Sequence, residues 1–334
     1  MPVTLADVAQ AAGVSLATAS RVLSGSLYPV SDETRQRVVE AASRSGYTPN
    51  ALARALATKS SHIFGAIIGS ITDLYFSEIC RGIEDIARAR DYLTIVCSAD
   101  RHLSVELAYL KMLREYKCAG VIFAGGMFTN SPEVKTLCRA VKETFEQGMP
   151  IVSIGDRRFD DVPSITVDHK AELHDLTRYL VELGHTKIAY VDGPTDFSTS
   201  QMRLQGYLEA MQEAGLKSLT YPGKFDYQDG RASALKILND GLPEAIIAFN
   251  DDSAVGILRV LQQAGVRVPQ DVSVAGVDNI RYAEVLDLTT VEEPMYELGA
   301  MAAQNLLNWQ LAPPPEQVVL PYRLIARGST ARRK

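Results

Sequence analysis

Hydrophobic and polar positions follow two regimes along the chain: short helical patterns up to about residue 60, then short apolar strands alternating with amphipathic helices from Ile63 onward. In the first regime, Val3 to Leu23 holds two short helices joined by Ala12-Gly13-Val14, where glycine turns the chain without steric cost. Thr4 can cap the first helix, with Asp7 three residues on at its positive end, and Ser15 can cap the second. This is how a helix-turn-helix reads in sequence, and it points to DNA. After a loop with Gly25 and Pro29, Ser31-Asp32-Glu33 opens a third helix, Val38, Val39 and Ala42 give it an apolar face, and Gly46 stops it. Tyr47-Thr48-Pro49 is extended, because the residue before a proline is pushed out of the helical region. Asn50 can then cap a further helix over 51–58, about two turns long. An isolated helix below roughly 12 residues is marginal in water, so something else must stabilise it.

The second regime predicts strands at 64–71, 94–97, 120–124 and 151–154, with helices at 75–90, 105–115 and 132–147 between them. A second series follows, with strands at 165–167, 188–191, 245–249 and 273–277 and helices at 171–183, 200–214, 230–239 and 253–264. Such alternation implies parallel sheets with helices on both faces, hence two doubly wound lobes. Ligands of these folds bind beyond the carboxyl ends of the strands, and facing lobes enclose a cleft.

Length and charge refine this picture. A chain of 334 residues suits a small module plus one large or two medium domains. Its net charge of −6 argues at first against nucleic acid, but the distribution is uneven. Residues 1–60 hold six basic side chains (Arg21, Arg35, Arg37, Arg44, Arg54, Lys59) and four acidic ones (Asp7, Asp32, Glu33, Glu40), a net +2, which leaves −8 for the remainder. A basic head on an acidic body fits a small DNA-contacting module. No apolar run approaches the roughly 20 residues that span a bilayer. The N-terminus also lacks a charged region followed by an apolar core, so a cytoplasmic location is expected. Cys80, Cys97, Cys118 and Cys138 have no Cys-x-x-Cys spacing and read as reduced, structural residues.

In this order of elements the chain resembles the LacI/GalR family of bacterial transcription regulators over essentially its whole length. The resemblance is carried by Val3-Thr4-Leu5-Ala6-Asp7-Val8-Ala9, Ser20-Arg21-Val22-Leu23, Gly46-Tyr47-Thr48-Pro49-Asn50-Ala51-Leu52-Ala53-Arg54 and Gly184-His185. Arg203-Leu204-Gln205-Gly206-Tyr207, Leu288-Thr289-Thr290-Val291 and Arg327-Gly328-Ser329-Thr330 extend it to the C-terminus. It implies a helix-turn-helix domain over 1–48, a hinge helix and linker over 49–60, and a periplasmic-binding-protein-like core over 61–334. The core would have an N-lobe at about 61–164 and 296–324 and a C-lobe at about 165–295 and 325–334. It also implies a homodimer, with a dimer of dimers as the larger alternative, binding a palindromic operator and most often repressing.

Site residues follow from the same resemblance. Leu16 and Ala17 occupy the family's base-reading positions, and Arg21 one turn later can reach a base edge or a phosphate. Leu16 and Ala17 can offer only apolar contacts, such as to thymine methyls, whereas arginine pairs with guanine; the structural alternative is that Leu16 packs inward. Thr4, Ser15, Thr18 and Ser20 would contact phosphates, which sets register without reading sequence. Leu56, with Asn50 and Ala53 alongside, would be the minor-groove wedge that kinks the operator, so its helix would form only on DNA. Ala19 and Ser24 replace the family's common valine and asparagine, and the loop through Leu27-Tyr28-Pro29 is one residue longer than usual.

For the effector, the family places residues just after the strand ends of both lobes around the cleft. These are Asp73, Tyr75 and Phe76 after the first strand, Asp156 near the fourth, then Arg203, Phe225, Asn250 and Asp278. Carboxylates, an amide and a guanidinium suit a polyhydroxyl ligand whose apolar face is covered by aromatic rings. A sugar or sugar derivative is the expected effector, and a purine or nucleoside stacked on Phe76 and Phe225 is the rival; a heavily phosphorylated ligand is disfavoured, because Arg203 is the one clear cation among these positions. The bland readings are that Asp278 caps a helix, Asn250 turns the chain, and Arg203 is a surface ion-pair partner. Glu293 stands where the family commonly has glutamine, and Asp287 where proline often precedes Leu-Thr-Thr; neither is assigned a function. A core that answers to a protein partner is a further alternative within regulation, and a cytoplasmic solute-binding protein is the alternative from another class, disfavoured by residues 1–60. No dinucleotide, P-loop or nucleophile-elbow motif occurs, so no enzyme and no cofactor are expected. His169 and His174, flanked by Asp168 and Asp175, lack one-face metal spacing and are expected to be solvated or capping.

Overall fold

The computed structural model describes residues 3–23, 28–47, 61–157, 159–312 and 314–333, so the expected hinge helix, with Asn50, Ala53 and Leu56, lies outside the described residues. The chain divides into two compact units, residues 1–62 and 63–334. The first holds α1 (Leu5–Ala12), α2 (Leu16–Leu23) and α3 (Asp32–Ser45). Thr4 and Asp7 form a reciprocal capping box at the start of α1, and Gly13 ends the helix at φ 61°, a conformation that costs glycine little. Ser31 caps α3 by accepting from the Thr34 N–H. Val8, Ala9, Ala12, Ala19, Val22, Val38, Ala41 and Ala42 form the shared core. Val39, expected on the apolar face of α3, is instead 51% exposed. Ala19 is fully buried among these helices, a site where a smaller side chain than the family's valine fits.

The second unit contains two six-stranded sheets. Along the chain come β1 (Ile63–Ile68), α4 (Leu74–Arg88), β2 (Leu93–Ser98), α5 (Leu103–Glu115), β3 (Gly120–Ala124), α6 (Glu133–Glu146), β4 (Ile151–Ile154) and β5 (Ser164–Val167). Next are α7 (His169–Glu182), β6 (Ile188–Val191), α8 (Ser198–Glu213), β7 (Leu219–Tyr221), α9 (Tyr227–Asp240), β8 (Ala245–Ala248), α10 (Asp251–Gln263) and β9 (Ser273–Asp278). The chain finishes with α11 (Arg281–Val285), β10 (Thr289–Glu292), α12 (Met295–Asn308), β11 (Gln317–Leu320) and β12 (Arg323–Ile325).

The first sheet runs β2-β1-β3-β4-β5-β11 and the second β7-β6-β8-β9-β10-β12, so each lobe reverses strand order once, between its first strand and its third. All pairings are parallel except β10 with β12. Strands β1, β3, β4, β6, β8 and β9 are almost wholly buried, as expected of parallel strands covered on both faces.

The lobe boundaries differ from expectation. β5 pairs with β4 and β11, so 165–167 belong to the first lobe, and β12 joins the second lobe two residues earlier than 325. The chain therefore crosses between the sheets three times: after β5, between β10 and α12, and between β11 and β12. Asp287, where the family favours proline, has φ 51°, a value that the proline ring cannot reach. All four cysteines are free. Burial pushes the Cys80 and Cys118 thiols up to about 11, so both stay protonated near neutrality.

Candidate functional site

A cavity lies between the two lobes of the second unit, at the carboxyl ends of both sheets. Asp73, Tyr75 and Phe76 enter it after β1, and Gly125 and Gly126 after β3, which are the strands flanking the first lobe's switch point. Phe197 and Thr199 follow β6, while Phe249 and Asn250 follow β8, at the second lobe's switch point. Two crevices of the kind that hold ligands in doubly wound sheets thus face each other. Phe225 and Glu293 come from the segments after β7 and β10, and Asp278 ends β9. Seven of the eight expected effector residues are brought together.

Asp156 is the exception. Gly155, at φ 88°, turns the chain just past β4 and packs its own backbone against Gly125 at the cavity wall. Asp156 then lines a separate depression with Ser153, Phe159 and Asp161. Its neighbour Arg157 is fully buried and bonds Glu106 at 2.6 Å and the Gly125 and Ala124 carbonyls.

The aromatic wall is continuous. Phe128, Phe197, Phe225 and Phe249 follow one another edge to face with centroids 5.3, 4.8 and 5.7 Å apart, and Phe76 lies across the cleft against Tyr75. Glycine seats the Phe76 ring: a Cβ at Gly69 or Gly125 would come within 2.7 or 2.8 Å of it. Backbone bonds join the lobes beside the rings, Thr129 N–H to Asp196 O at 2.7 Å and Ser198 N–H to Met127 O at 3.0 Å.

Arg203 is not a surface residue but is 3% exposed. Its Nε donates to Glu172 at 2.7 Å, Nη1 to the Phe249 carbonyl at 2.8 Å and Nη2 to Glu293 at 2.6 Å, with Asp278 at 3.6 Å from Nη2. His169 packs into the same cluster, Nδ1 lying 3.0 Å from Glu172 and 3.4 Å from Glu293, and the Tyr75 hydroxyl donates to Glu293 at 3.0 Å. Burial works against charge on these groups, yet His169 and Arg203 hold Glu293 down at about 2, while Glu172 and Glu293 push His169 up to about 9. Burial raises the Asp278 carboxyl well above its usual range, and Arg203 only partly offsets this. His169, Glu172 and Glu293 bring three ligand-type atoms within 4.8 Å of one another, but the Arg203 guanidinium already binds the same carboxylates.

Several residues here escaped the sequence reading. Glu293, given no function, sits at the centre of the cluster; His169, expected to be solvated or capping, is buried in it, while Asp168 caps α7. Arg101 makes a second cation in the cavity, stacked 4.2 Å over Phe225 and paired with Asp73 at 2.6 Å. It follows the end of β2, where the rule of strand carboxyl ends selects it. Asn250 caps α10 through Ser253 and donates its amide to the Phe225 carbonyl, so the turning role expected of it is real and also anchors the ring's loop.

In the first unit, α2 turns Ala19 and Val22 inward and leaves Ser15, Leu16, Ala17, Ser20 and Arg21 exposed. Leu16 is 53% exposed, so it does not pack inward. Ser15 accepts from the Thr18 N–H at 3.1 Å, and Arg21 stacks 4.1 Å over Tyr28. The Thr4 hydroxyl is bonded to Asp7 at 2.7 Å.

A helix-turn-helix head joined to a two-lobed core with a cleft at paired switch points defines a DNA-binding regulator built on a periplasmic-binding-protein-like body. Residues 4–50 match the family model of bacterial regulatory proteins, lacI family, and residues 177–330 match a periplasmic binding protein-like domain. Catabolite control protein A of Staphylococcus epidermidis is 34% identical over 338 residues, covering 99% of this chain and 100% of that protein. The crystal structure of the lac repressor dimer bound to operator and the anti-inducer ONPF covers 99% of this chain and 100% of its own, with 27% identity and a TM-score of 0.86. A complex of the transcriptional regulator CelR with cellobiose covers 98% and 99%, with 27% identity and a TM-score of 0.71. The chain belongs to the lacI family of bacterial regulatory proteins and is a transcription regulator.

Proposed function

We propose that the protein acts in the cytoplasm as a homodimeric repressor that binds a palindromic operator through α2 and is controlled by a sugar or sugar derivative in the cleft. The observation that carries the effector reading is the cavity itself: carboxylates, an amide and guanidinium groups set among aromatic rings at the two facing switch points. Polyhydroxyl ligands need donors and acceptors around a ring-covered apolar face, and this wall offers both. The cellobiose complex of a similar regulator supports it. The rival purine reading needs the slot between Phe76 and Phe225, and the Arg101 guanidinium fills it, 5.7 and 4.2 Å from the two rings.

On the DNA side, Leu16 and Ala17 read bases through apolar contacts and Arg21 reaches a base edge or phosphate. Thr4, Ser15, Thr18 and Ser20 set register on phosphates, and Asn50, Ala53 and Leu56 act at the minor groove from the hinge over 49–60. The exposed face of α2 supports the first part. Dimerisation through the core is supported by apolar side chains left outside it. β2, at the edge of its sheet, exposes Leu93 and Val96, the same lobe also exposes Ile71, Met112 and Tyr116, and the second lobe exposes Tyr282, Val285 and Leu286. An exposed apolar edge strand is a liability unless covered. No helix among the described residues is long and apolar enough to cross a membrane.

Footprinting of the purified chain on genomic fragments, with a sugar panel added to the bound complex, tests the proposal. The expected result is a salt-sensitive, two-fold symmetric footprint whose affinity one class of sugar changes. Absence of any sequence-preferring footprint refutes the operator reading, and a footprint that no sugar alters refutes the effector reading.

A further inference from the structure

We infer that Arg101 reads an anionic group on the cleft's ligand, so that the effector is a sugar derivative carrying a carboxylate or a phosphate; this rests on the cleft being the sugar site proposed above. The two guanidinium groups of the cavity are differently committed. Arg203 has Nε, Nη1 and Nη2 all engaged by Glu172, Phe249 O and Glu293, and its charge is offset by carboxylates on three sides. Arg101 gives one Nη2 hydrogen to Asp73 at 2.6 Å. Of its five N–H donors, the remaining four bond no acceptor among the described residues. The pair is only 18% and 17% exposed, so water screens the charge incompletely.

The backbone under Arg101 is built to present it. Asp100 and Arg101 have φ of 47° and 60°, two successive non-glycine residues in the left-handed region. Bonds on each side hold them there: Arg101 N–H to Gly69 O at 3.0 Å, and the Ser70 and Ser98 hydroxyls to Asp100 Oδ1, each at 3.2 Å. Such strain survives where the surroundings over-determine it, and it clusters at ligand sites. Asp73 on one edge and the Phe225 face beneath then fix the plane of the fork. A fixed planar fork with open N–H groups matches the two oxygens of a carboxylate or phosphate.

The test titrates the full-length protein by calorimetry with two matched series, glucose and galactose, each as neutral sugar, uronate and 6-phosphate. The wild type should bind one charged member at least about tenfold more tightly than its neutral parent, the size of one partly buried charge-assisted contact. Uronate and phosphate arms distinguish the two anions. Arg101→Ala should bring that preference within about twofold, and Arg101→Lys, which keeps charge without the fork, should keep part of it. Neutral sugars that bind as tightly as charged ones, or a preference that survives Arg101→Ala, would overturn the inference and leave the sugar site standing. No binding by any member would remove the sugar reading and this inference with it. The wild-type ratio decides even if the alanine variant folds poorly.

Discussion

Raising the pH from 6 to 9.5 should remove the proton that ties the second lobe crossover together, and replacing His169 by glutamine should make the protein insensitive to that change. His169 is buried; burial pulls an imidazole pKa down, but Glu172 at 3.0 Å and Glu293 at 3.4 Å overcome this and push it up to about 9 from the ordinary 6.5. The folded state therefore holds a proton that the unfolded chain releases between those two values. Stability from this charge is complete below pH 6.5 and is lost as pH rises through 9. At about 1.4 kcal/mol per pKa unit, the interval corresponds to roughly 3 kcal/mol, a large share of the 5–15 kcal/mol that holds a typical domain. Urea unfolding of wild type and His169→Gln at pH 6, 7.5 and 9.5 measures it. The wild type should be the more stable by about 3 kcal/mol at pH 6, and the gap should close by pH 9.5. Two parallel stability curves would refute the assignment, because they would show that no proton on His169 links to folding.

Two further outcomes are expected. Asp156→Ala should leave effector affinity within about twofold of wild type, as the residue lines a separate depression and not the cleft; a loss of tenfold or more, read by calorimetry, would return it to the site. Arg157→Ala leaves Glu106 charged and buried without its partner, so chemical denaturation should show a loss of about 3–5 kcal/mol, whereas a loss below 1 kcal/mol would mean the pair is solvated.

Most of the fold was legible because its signals are local. Capping residues and the two glycines mark the first unit's helices, and buried parallel strands read as apolar runs between amphipathic helices. β7, β10, β11 and β12 were missed, each only three or four residues long and too short for periodicity to register, and the helices α11 and α12 were not assigned either. Lobe membership of β5 depends on pairing with β4 and β11, which is non-local. For the cleft, position after a strand end picked seven residues that line one cavity, but it could not say that Asp156, past a glycine turn, lines a different depression. Arg101, three residues past β2, obeys the same strand-end rule, whereas Glu293 carried no functional signal: a lone charge in sequence looks the same whether it ends in solvent or in a buried pair.

Glu293 shows how a departure from the family's usual residue can change the physics of a whole site. Its position is the second crossover between lobes, and its carboxylate joins Tyr75 of the first lobe, Arg203 of the second and His169 at the start of α7. Glutamine, common there in the family, has one acceptor oxygen where Glu293 uses two, so it could keep the bond from Arg203 while its NH2 group turned donor toward the Tyr75 oxygen, and it would bring no charge. His169 would then face one carboxylate instead of two while its burial stayed the same, so its pKa must fall from about 9. Glu293→Gln is thus expected to fold, because the polar partners persist, while the pH-dependent part of its stability shifts to lower pH. Titration of the His169 imidazole by NMR in wild type and variant reads the effect directly. An unchanged midpoint would mean that Glu172 alone holds the proton, and the crossover would then not depend on residue 293 for its charge.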